Sequence, residues 1–159
     1  MRRSEILVFI PTYNEYENVG KICLQILALR CDLDIMFMDD NSDDGTGAIL
    51  KKLVKEYPNV HVIFRPRKLG VGSAHLDGIR WAYDQGYKKL ITMDCDFTHS
   101  PGCLPDLIGR YDDYDMVIGS RYLLRNSLPG WNPLRKFLTH AGHFITKCFL
   151  GIKYDATGA

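Results

Sequence analysis

The sequence predicts an α/β fold in which a mostly parallel central sheet is flanked by helices. Short runs at residues 6–10, 35–38, 60–64, 90–93 and 116–118 are apolar at successive positions, which is typical of strands buried on both faces. Between the first four runs, apolar side chains recur at helical spacing. Strand and helix therefore alternate, which is the order expected of a parallel sheet with crossover helices.

The helical patterns follow the first three strands in turn. Their apolar positions are Val19, Ile22, Ile26 and Leu29, then Ile49, Leu50, Leu53 and Val54, and then Ile79, Ala82 and Tyr83. Residues 123–133, which contain two prolines and a glycine, are the one long loop candidate, and such loops near an active edge often act as lids. An amphipathic helix is predicted after it from Trp131, Leu134, Leu138, Ala141, Ile145 and Cys148.

Composition narrows the class of protein. The 159 residues are 46% hydrophobic and 25% charged with a net charge of +1, which fits one globular domain and does not favour nucleic acid as a partner. The five cysteines include no Cys-x-x-Cys pair, so a reducing, cytoplasmic setting is expected rather than a disulfide framework or a zinc site. No signal peptide and no run near the ~20 residues of a membrane span are evident, so we expect a soluble or peripheral protein.

Two of the predicted strands end in carboxylates. Asp39 and Asp40 follow the second run, and Asp94 and Asp96 follow the fourth. Ligands of open parallel sheets bind beyond the carboxyl ends of the strands, so all four side chains are expected at one edge. Asp94 and Asp96 point to the same side of an extended backbone and offer oxygen ligands for Mg²⁺ or Mn²⁺. Turn capping, with Asp96 preceding Thr98, is the alternative.

The common phosphate-binding motifs are missing. No Gly-x-Gly-x-x-Gly follows the first strand and no Gly-Lys-Ser/Thr occurs, while Gly70-Val-Gly72 follows the basic segment 65–68 without the rest of the Rossmann pattern. A nucleotide would instead be held by Tyr13 stacking on the base and by Asp40 accepting a ring N–H, with a metal neutralising the diphosphate. Packing within a turn is the alternative for Tyr13.

Five ordered segments span nearly the whole chain. They are Pro11-Thr-Tyr-Asn-Glu15, Asp39-Asp-Asn-Ser-Asp-Asp-Gly-Thr46, Leu69-Gly-Val-Gly72, Met93-Asp-Cys-Asp96 and Gly119-Ser-Arg-Tyr122. Together they resemble the family 2 glycosyltransferases, and most of all the dolichyl or polyprenyl phosphate mannosyltransferase branch. The resemblance implies a single Rossmann-like GT-A catalytic domain over residues 1–159, a nucleotide-diphospho-sugar donor, a divalent metal, and transfer with inversion to a lipid-linked phosphate.

The resemblance also implies roles for particular residues. The nucleoside pocket would be lined by Pro11, Tyr13, Glu15, Met38 and Asp40. The metal, the diphosphate and the sugar would meet Asp94, Cys95 and Asp96, and Arg121 matches the basic residue of the Gly-Ser-Arg motif. Three positions depart from the family pattern: Asn41 stands where many members have Gly, Cys95 where Ala is common, and Thr98 where some relatives supply an amide metal ligand.

The acceptor side is predicted from chemistry. A hydroxyl acceptor normally needs a positioned base, whereas a lipid phosphate is already anionic and needs cationic positioning, for which Arg121 and Arg135 are available. Asp94, Asp96 and Arg121 are therefore the predicted catalytic residues. We expect surface or loop roles for the three remaining candidate bases, His99, His140 and His143, because no carboxylate partner is evident by spacing.

Three functions stay open at this stage. The first is transfer of mannose or another hexose to polyprenyl or dolichyl phosphate, the second is transfer to a hydroxyl acceptor, and the third is nucleotide-sugar binding with little transferase activity. Relatives continue with an aromatic-basic segment and further helices, so the chain is expected to be short at its C-terminal end. Its amphipathic helix suits a membrane interface as well as core packing, and we expect a peripheral protein at the cytoplasmic membrane face.

Overall fold

The computed structural model describes residues 4–119 and, beyond them, Ala141, Gly142, Phe144, Cys148 and Phe149. The chain divides into two compact units, residues 1–108 and residues 109–159. The first unit contains β1 (Ile6–Thr12), α1 (Val19–Ala28), β2 (Asp34–Asp39), α2 (Thr46–Glu56), β3 (Val60–Phe64), α3 (Val71–Asp84), β4 (Lys89–Thr92), a 3-10 turn (Pro101–Cys103) and α4 (Leu104–Ile108). The predicted alternation of strands and helices is thus confirmed.

The four strands form a parallel sheet in the order β3-β2-β1-β4. The two central strands, β1 and β2, are buried along nearly their whole length, which explains their continuous apolar runs. Thr12 at the end of β1 is paired with Asp39 at the end of β2, and the Met93 amide just beyond β4 donates to Phe9 O of β1. The residues that follow β1, β2 and β4 therefore emerge at the same edge of the sheet.

Helix α3 packs on the sheet through small side chains. It buries Ala74, Gly78 and Ala82, and a Cβ at position 78 would lie 2.4 Å from the Phe9 ring. The predicted apolar face was therefore partly wrong, because Tyr83 is 82% exposed. A pattern of large apolar residues cannot reveal a helix whose close approach to the sheet depends on glycine and alanine.

The predicted fifth strand is also wrong. Residues 116–118 adopt no strand conformation, and Met116 is 76% exposed. A run of only three apolar residues has a weak preference for a strand when its side chains are not buried between neighbours. Most of the predicted amphipathic helix lies outside the described residues. Within them, Phe144 and Phe149 are helical and exposed, and no helix is long and apolar enough to cross a membrane.

Candidate functional site

A cavity of about 340 Å³ lies at the edge of the sheet where β1, β2 and β4 end. It is formed within the first unit. Seven of the predicted site residues line it: Pro11, Tyr13, Glu15, Asp40, Asp94, Cys95 and Asp96. Five further lining residues were missed by sequence reasoning: Thr12, Lys68, Gly70, Val71 and Ala74.

Three predicted site residues are not found in the lining. Met38 is 2% exposed and packs in the core with Leu7 and Phe9, so the prediction that it lines the nucleoside pocket is corrected. It has this place because its strand alternates between two buried faces, and position 38 faces the core cluster. Arg121 and Arg135 lie outside the described residues.

The loop that carries Tyr13 and Glu15 is held by side chains that follow β2. Three consecutive amides donate to them: Asn14 N to Ser42 Oγ at 2.9 Å, Glu15 N to Thr46 Oγ1 at 2.9 Å, and Tyr16 N to Asp44 Oδ2 at 2.9 Å. The second of the five resembling segments thus fixes the backbone of the first. The Ser42 and Thr46 hydroxyls and the Asp44 carboxylate therefore position this loop.

The turn after β2 is fixed by Asp39. Its carboxylate accepts from Ser42 N at 3.0 Å and from Ser42 Oγ at 2.6 Å. Asn41, inside this turn, has a left-handed φ of 63°, a conformation that asparagine tolerates better than most residues. This explains how Asn41 stands where many family 2 members are expected to have glycine.

Asp40 lines the cavity while its carboxylate is already engaged. Oδ1 accepts from Arg65 Nη1 at 2.9 Å, both oxygens accept from Leu69 N at 3.0 Å, and Oδ2 accepts from Gly70 N at 2.7 Å. Burial alone would raise the pKa of Asp40, but the two amides and the Arg65 guanidinium outweigh it and hold the pKa below its usual range. The predicted bond from a base N–H to Asp40 would therefore share a carboxylate that three donors already bind.

Asp96 caps the turn that follows it, which was the alternative to ligand binding, and it also lines the cavity. Its Oδ1 accepts from Thr98 N at 3.0 Å and from Thr98 Oγ1 at 2.6 Å. Partial desolvation would raise the pKa of Asp96, but these two hydrogen bonds outweigh it and lower the pKa. Thr98 thus holds the carboxylate in its charged form. The two predicted roles of Asp96, capping and ligand binding, are compatible in this geometry.

His99 lies beside Asp94, although their separation in the sequence did not indicate a contact. Its Nδ1 accepts from Asp94 N at 3.1 Å and lies 3.7 Å from Asp94 Oδ2, a carboxylate neighbour that spacing in the sequence did not make evident, while the residue itself lies in a loop as expected. A turn through Phe97, whose φ is 62°, returns the chain over the strand end. Because Nδ1 accepts a hydrogen bond, the neutral ring carries its proton on Nε2, which is buried without a partner among the described residues.

Asp94 and Asp96 suit a hard divalent cation. Both present carboxylate oxygens to one cavity, and a Mg²⁺ or Mn²⁺ ion held by two carboxylates typically completes its shell with water and substrate phosphate. Within the part of the chain that the structure describes, no three His, Cys, Asp or Glu side chains form a complete metal site. Burial, together with the nearby Glu15 and Asp96 carboxylates, raises the pKa of the Cys95 thiol, so the thiol is protonated when no metal is bound.

Comparison with known proteins decides the family. Residues 7–157 match the family model described as Glycosyl transferase family 2. The chain belongs to glycosyl transferase family 2. Among curated family 2 relatives, it is 36% identical to the undecaprenyl-phosphate mannosyltransferase of Micrococcus luteus over 92% of its own length and 60% of that protein. It is 37% identical to the polyprenol monophosphomannose synthase of Mycolicibacterium smegmatis over 92% of its own length and 56% of that protein.

The chain thus spans 60% and 56% of these two family 2 relatives. Among solved structures, S. aureus TarS 1-349 matches with a TM-score of 0.54 at 21% identity, over 69% of this chain and 33% of that one. This likeness concerns the fold. The predicted GT-A fold, with a parallel sheet flanked by helices, is confirmed.

Proposed function

We propose that this chain is the donor-binding part of a polyprenyl phosphate glycosyltransferase, which moves mannose or another hexose from a nucleotide-diphospho-sugar with inversion. One observation carries the proposal. A single cavity brings the aromatic ring of Tyr13 together with the carboxylates of Asp94 and Asp96, although they follow two different strands. The names of the two curated relatives support a polyprenyl phosphate acceptor and mannose as the sugar.

The cavity offers different chemistry at its two sides. Pro11 lies in β1, Tyr13 and Glu15 follow it, and Tyr13 supplies an aromatic face for the base, with Asp40 in the same lining. Asp94, Cys95 and Asp96 follow β4 and supply negative oxygens. We assign the nucleoside to the first group, and the metal, diphosphate and sugar to the second.

A divalent cation, Mg²⁺ or Mn²⁺, would be held by Asp94 and Asp96 and would supply positive charge for the leaving diphosphate. The protein's own contribution is to hold the two residues in place. Thr98 fixes one oxygen of Asp96, and His99 fixes the backbone of Asp94. These contacts orient Asp94 and Asp96 before any ligand binds, which lowers the free-energy cost of ordering them on binding.

The acceptor proposal follows from the acidity of a lipid phosphate. A phosphate oxygen is already an anion and attacks without a base, so positioning by cations is sufficient. Arg121, the predicted catalytic residue of the two, and Arg135 are proposed for this task. Since the hydrocarbon of the acceptor stays in lipid, the protein is proposed to work peripherally at the cytoplasmic face of a membrane.

The test is a donor panel with a polyprenyl phosphate acceptor. Guanosine and uridine diphosphate sugars labelled in the sugar are incubated with Mn²⁺ and the acceptor, and label is counted in the lipid extract. Label transferred only in the presence of lipid phosphate supports the proposal. Transfer to a hydroxyl acceptor without lipid phosphate would assign the second function, and donor binding without transfer to either acceptor would assign the third.

A further inference from the structure

The charges around the cavity do not balance. Within the described lining, four side chains are carboxylates, Glu15, Asp40, Asp94 and Asp96, and one is a cation, Lys68. Asp40 is neutralised by the buried guanidinium of Arg65 at 2.9 Å, which is not itself part of the lining. Three carboxylates therefore face a single ammonium group. A ligand that carries a diphosphate adds further negative charge, so a cation that can reach it has a large effect on affinity.

Lys68 contacts Tyr13 at the cavity. Its Nζ lies 3.7 Å from the centroid of the Tyr13 ring, in a cation–π contact between two lining residues. Both side chains are exposed enough to rearrange. An ammonium on a four-carbon stem can leave the ring for a nearby anion with little loss, because cation–π contacts at exposed sites are weak.

The backbone on both sides of Lys68 is anchored. Before it, Arg65 N donates to Asp39 O at 2.9 Å, and the Arg65 guanidinium donates to Asp77 Oδ2 and Ser73 Oγ, each at 2.8 Å, besides its bond to Asp40. After it, the amides of residues 69 and 70 donate to the Asp40 carboxylate. The backbone of Lys68 is thus held at the cavity while its ammonium makes a weak contact with the Tyr13 ring, which is the arrangement of a pre-organised ligand-binding lysine.

We propose that Lys68, in a segment whose next two amides are bound by Asp40, binds the diphosphate of the donor. This inference rests on the proposed function, because it names a further residue of the same donor site. The ammonium moves from the Tyr13 ring to the diphosphate when the base takes the ring face.

The test compares Lys68→Met with the parent chain by calorimetry in the presence of Mn²⁺. The ligands are guanosine and uridine and their diphosphates. The measured gain is the affinity for the nucleoside diphosphate divided by the affinity for the free nucleoside. We expect this gain to fall roughly five- to tenfold in Lys68→Met, as for loss of a charge-assisted contact at a partly exposed site. Nucleoside affinity should stay equal or rise, because the ring face is freed. Lys68→Arg should restore most of the gain.

Lys51→Met is the matched control, since Lys51 Nζ also lies over an aromatic ring, Phe64 at 5.3 Å, but does not line the cavity. It should leave the gain unchanged. The inference is overturned if Lys68→Met binds the diphosphates as the parent does, if it weakens nucleosides and diphosphates equally, or if Lys51→Met has the same effect. In each of those cases the proposed function survives. If the parent itself binds neither diphosphate with Mn²⁺, the proposed function fails and the inference fails with it.

Discussion

Replacing Asp40 by alanine should destabilise the fold far more than loss of a surface charge. The side chains of Asp40 and Arg65 are 6% and 5% exposed, and their ion pair joins the end of β2 to the segment before α3. Asp40→Ala leaves the guanidinium buried with only Asp77 as a charged partner, and it removes the acceptor of the Leu69 and Gly70 amides. Breaking a buried pair in this way typically costs about 3–5 kcal/mol.

The assay is urea unfolding followed by circular dichroism, with Asp77→Ala as the matched control. Asp77 also pairs with Arg65 at 2.8 Å, but its side chain is 46% exposed, so its loss should cost at most about 1 kcal/mol. If Asp40→Ala lowers the free energy of unfolding by less than about 1 kcal/mol, or if both variants lower it equally, the buried Asp40–Arg65 pair does not stabilise the fold as described.

The hydrogen bonds to Asp40 also predict that the folded protein loses stability in acid. The pKa of Asp40 is lowered in the folded protein, so its contribution to stability is complete above the ordinary value near 4 and is lost as the pH falls through the lowered value. Urea midpoints measured from neutral pH downward should fall over this window in the parent. Asp40→Ala should lack this part of the decline, and an unchanged pH profile in the variant would contradict the assignment.

Three further predictions concern the cavity and its support. Tyr13→Ala should weaken guanosine or uridine binding by about 0.5–1.5 kcal/mol through lost stacking, while the exposed Tyr83→Ala should not, and calorimetry that finds equal effects would remove Tyr13 from the base site. Gly78→Ala should lower the free energy of unfolding by about 1–3 kcal/mol because its Cβ meets the Phe9 ring, and an unchanged urea midpoint would contradict this packing. Asp44 has a lowered pKa because hydrogen bonds from the Thr46 hydroxyl and amide, and then from the Tyr16 amide, outweigh desolvation, so Asp44→Ala should lose part of the acid dependence of unfolding below about pH 4, and a profile identical to that of the parent would count against it.

The sequence predicted strands β1 to β4 and the carboxylates at their ends for physical reasons. The runs of β1 and β2 are continuous because both faces of these strands are buried, and parallel strands bring their carboxyl ends together whatever the details of packing. Asp94 and Asp96 were therefore placed at the cavity correctly, although their roles there remain proposals. The identity of the family followed from the order of five short segments and not from periodicity.

What the sequence did not reveal depends on contacts between distant positions. The Asp40–Arg65 pair joins residues 25 positions apart, and no local pattern indicates that this arginine is buried. The basic segment before Gly70 was visible, but it was considered only as a Rossmann motif, so Lys68 was missed. His99 approaches Asp94 through a turn with a left-handed residue, and side-chain spacing alone does not predict such a turn.

The central claim is that Asp94 and Asp96 hold a divalent cation against the donor diphosphate. The most direct measurement is calorimetric titration of guanosine and uridine diphosphates into the parent and into Asp96→Ala, each with Mn²⁺ and with the metal chelated. Removing one strand-end carboxylate at the surface should leave the fold intact, which the circular dichroism spectrum checks. The parent should bind one of the diphosphates in a Mn²⁺-dependent manner, and Asp96→Ala should lose that dependence. Equal, Mn²⁺-dependent binding by both proteins would contradict the account.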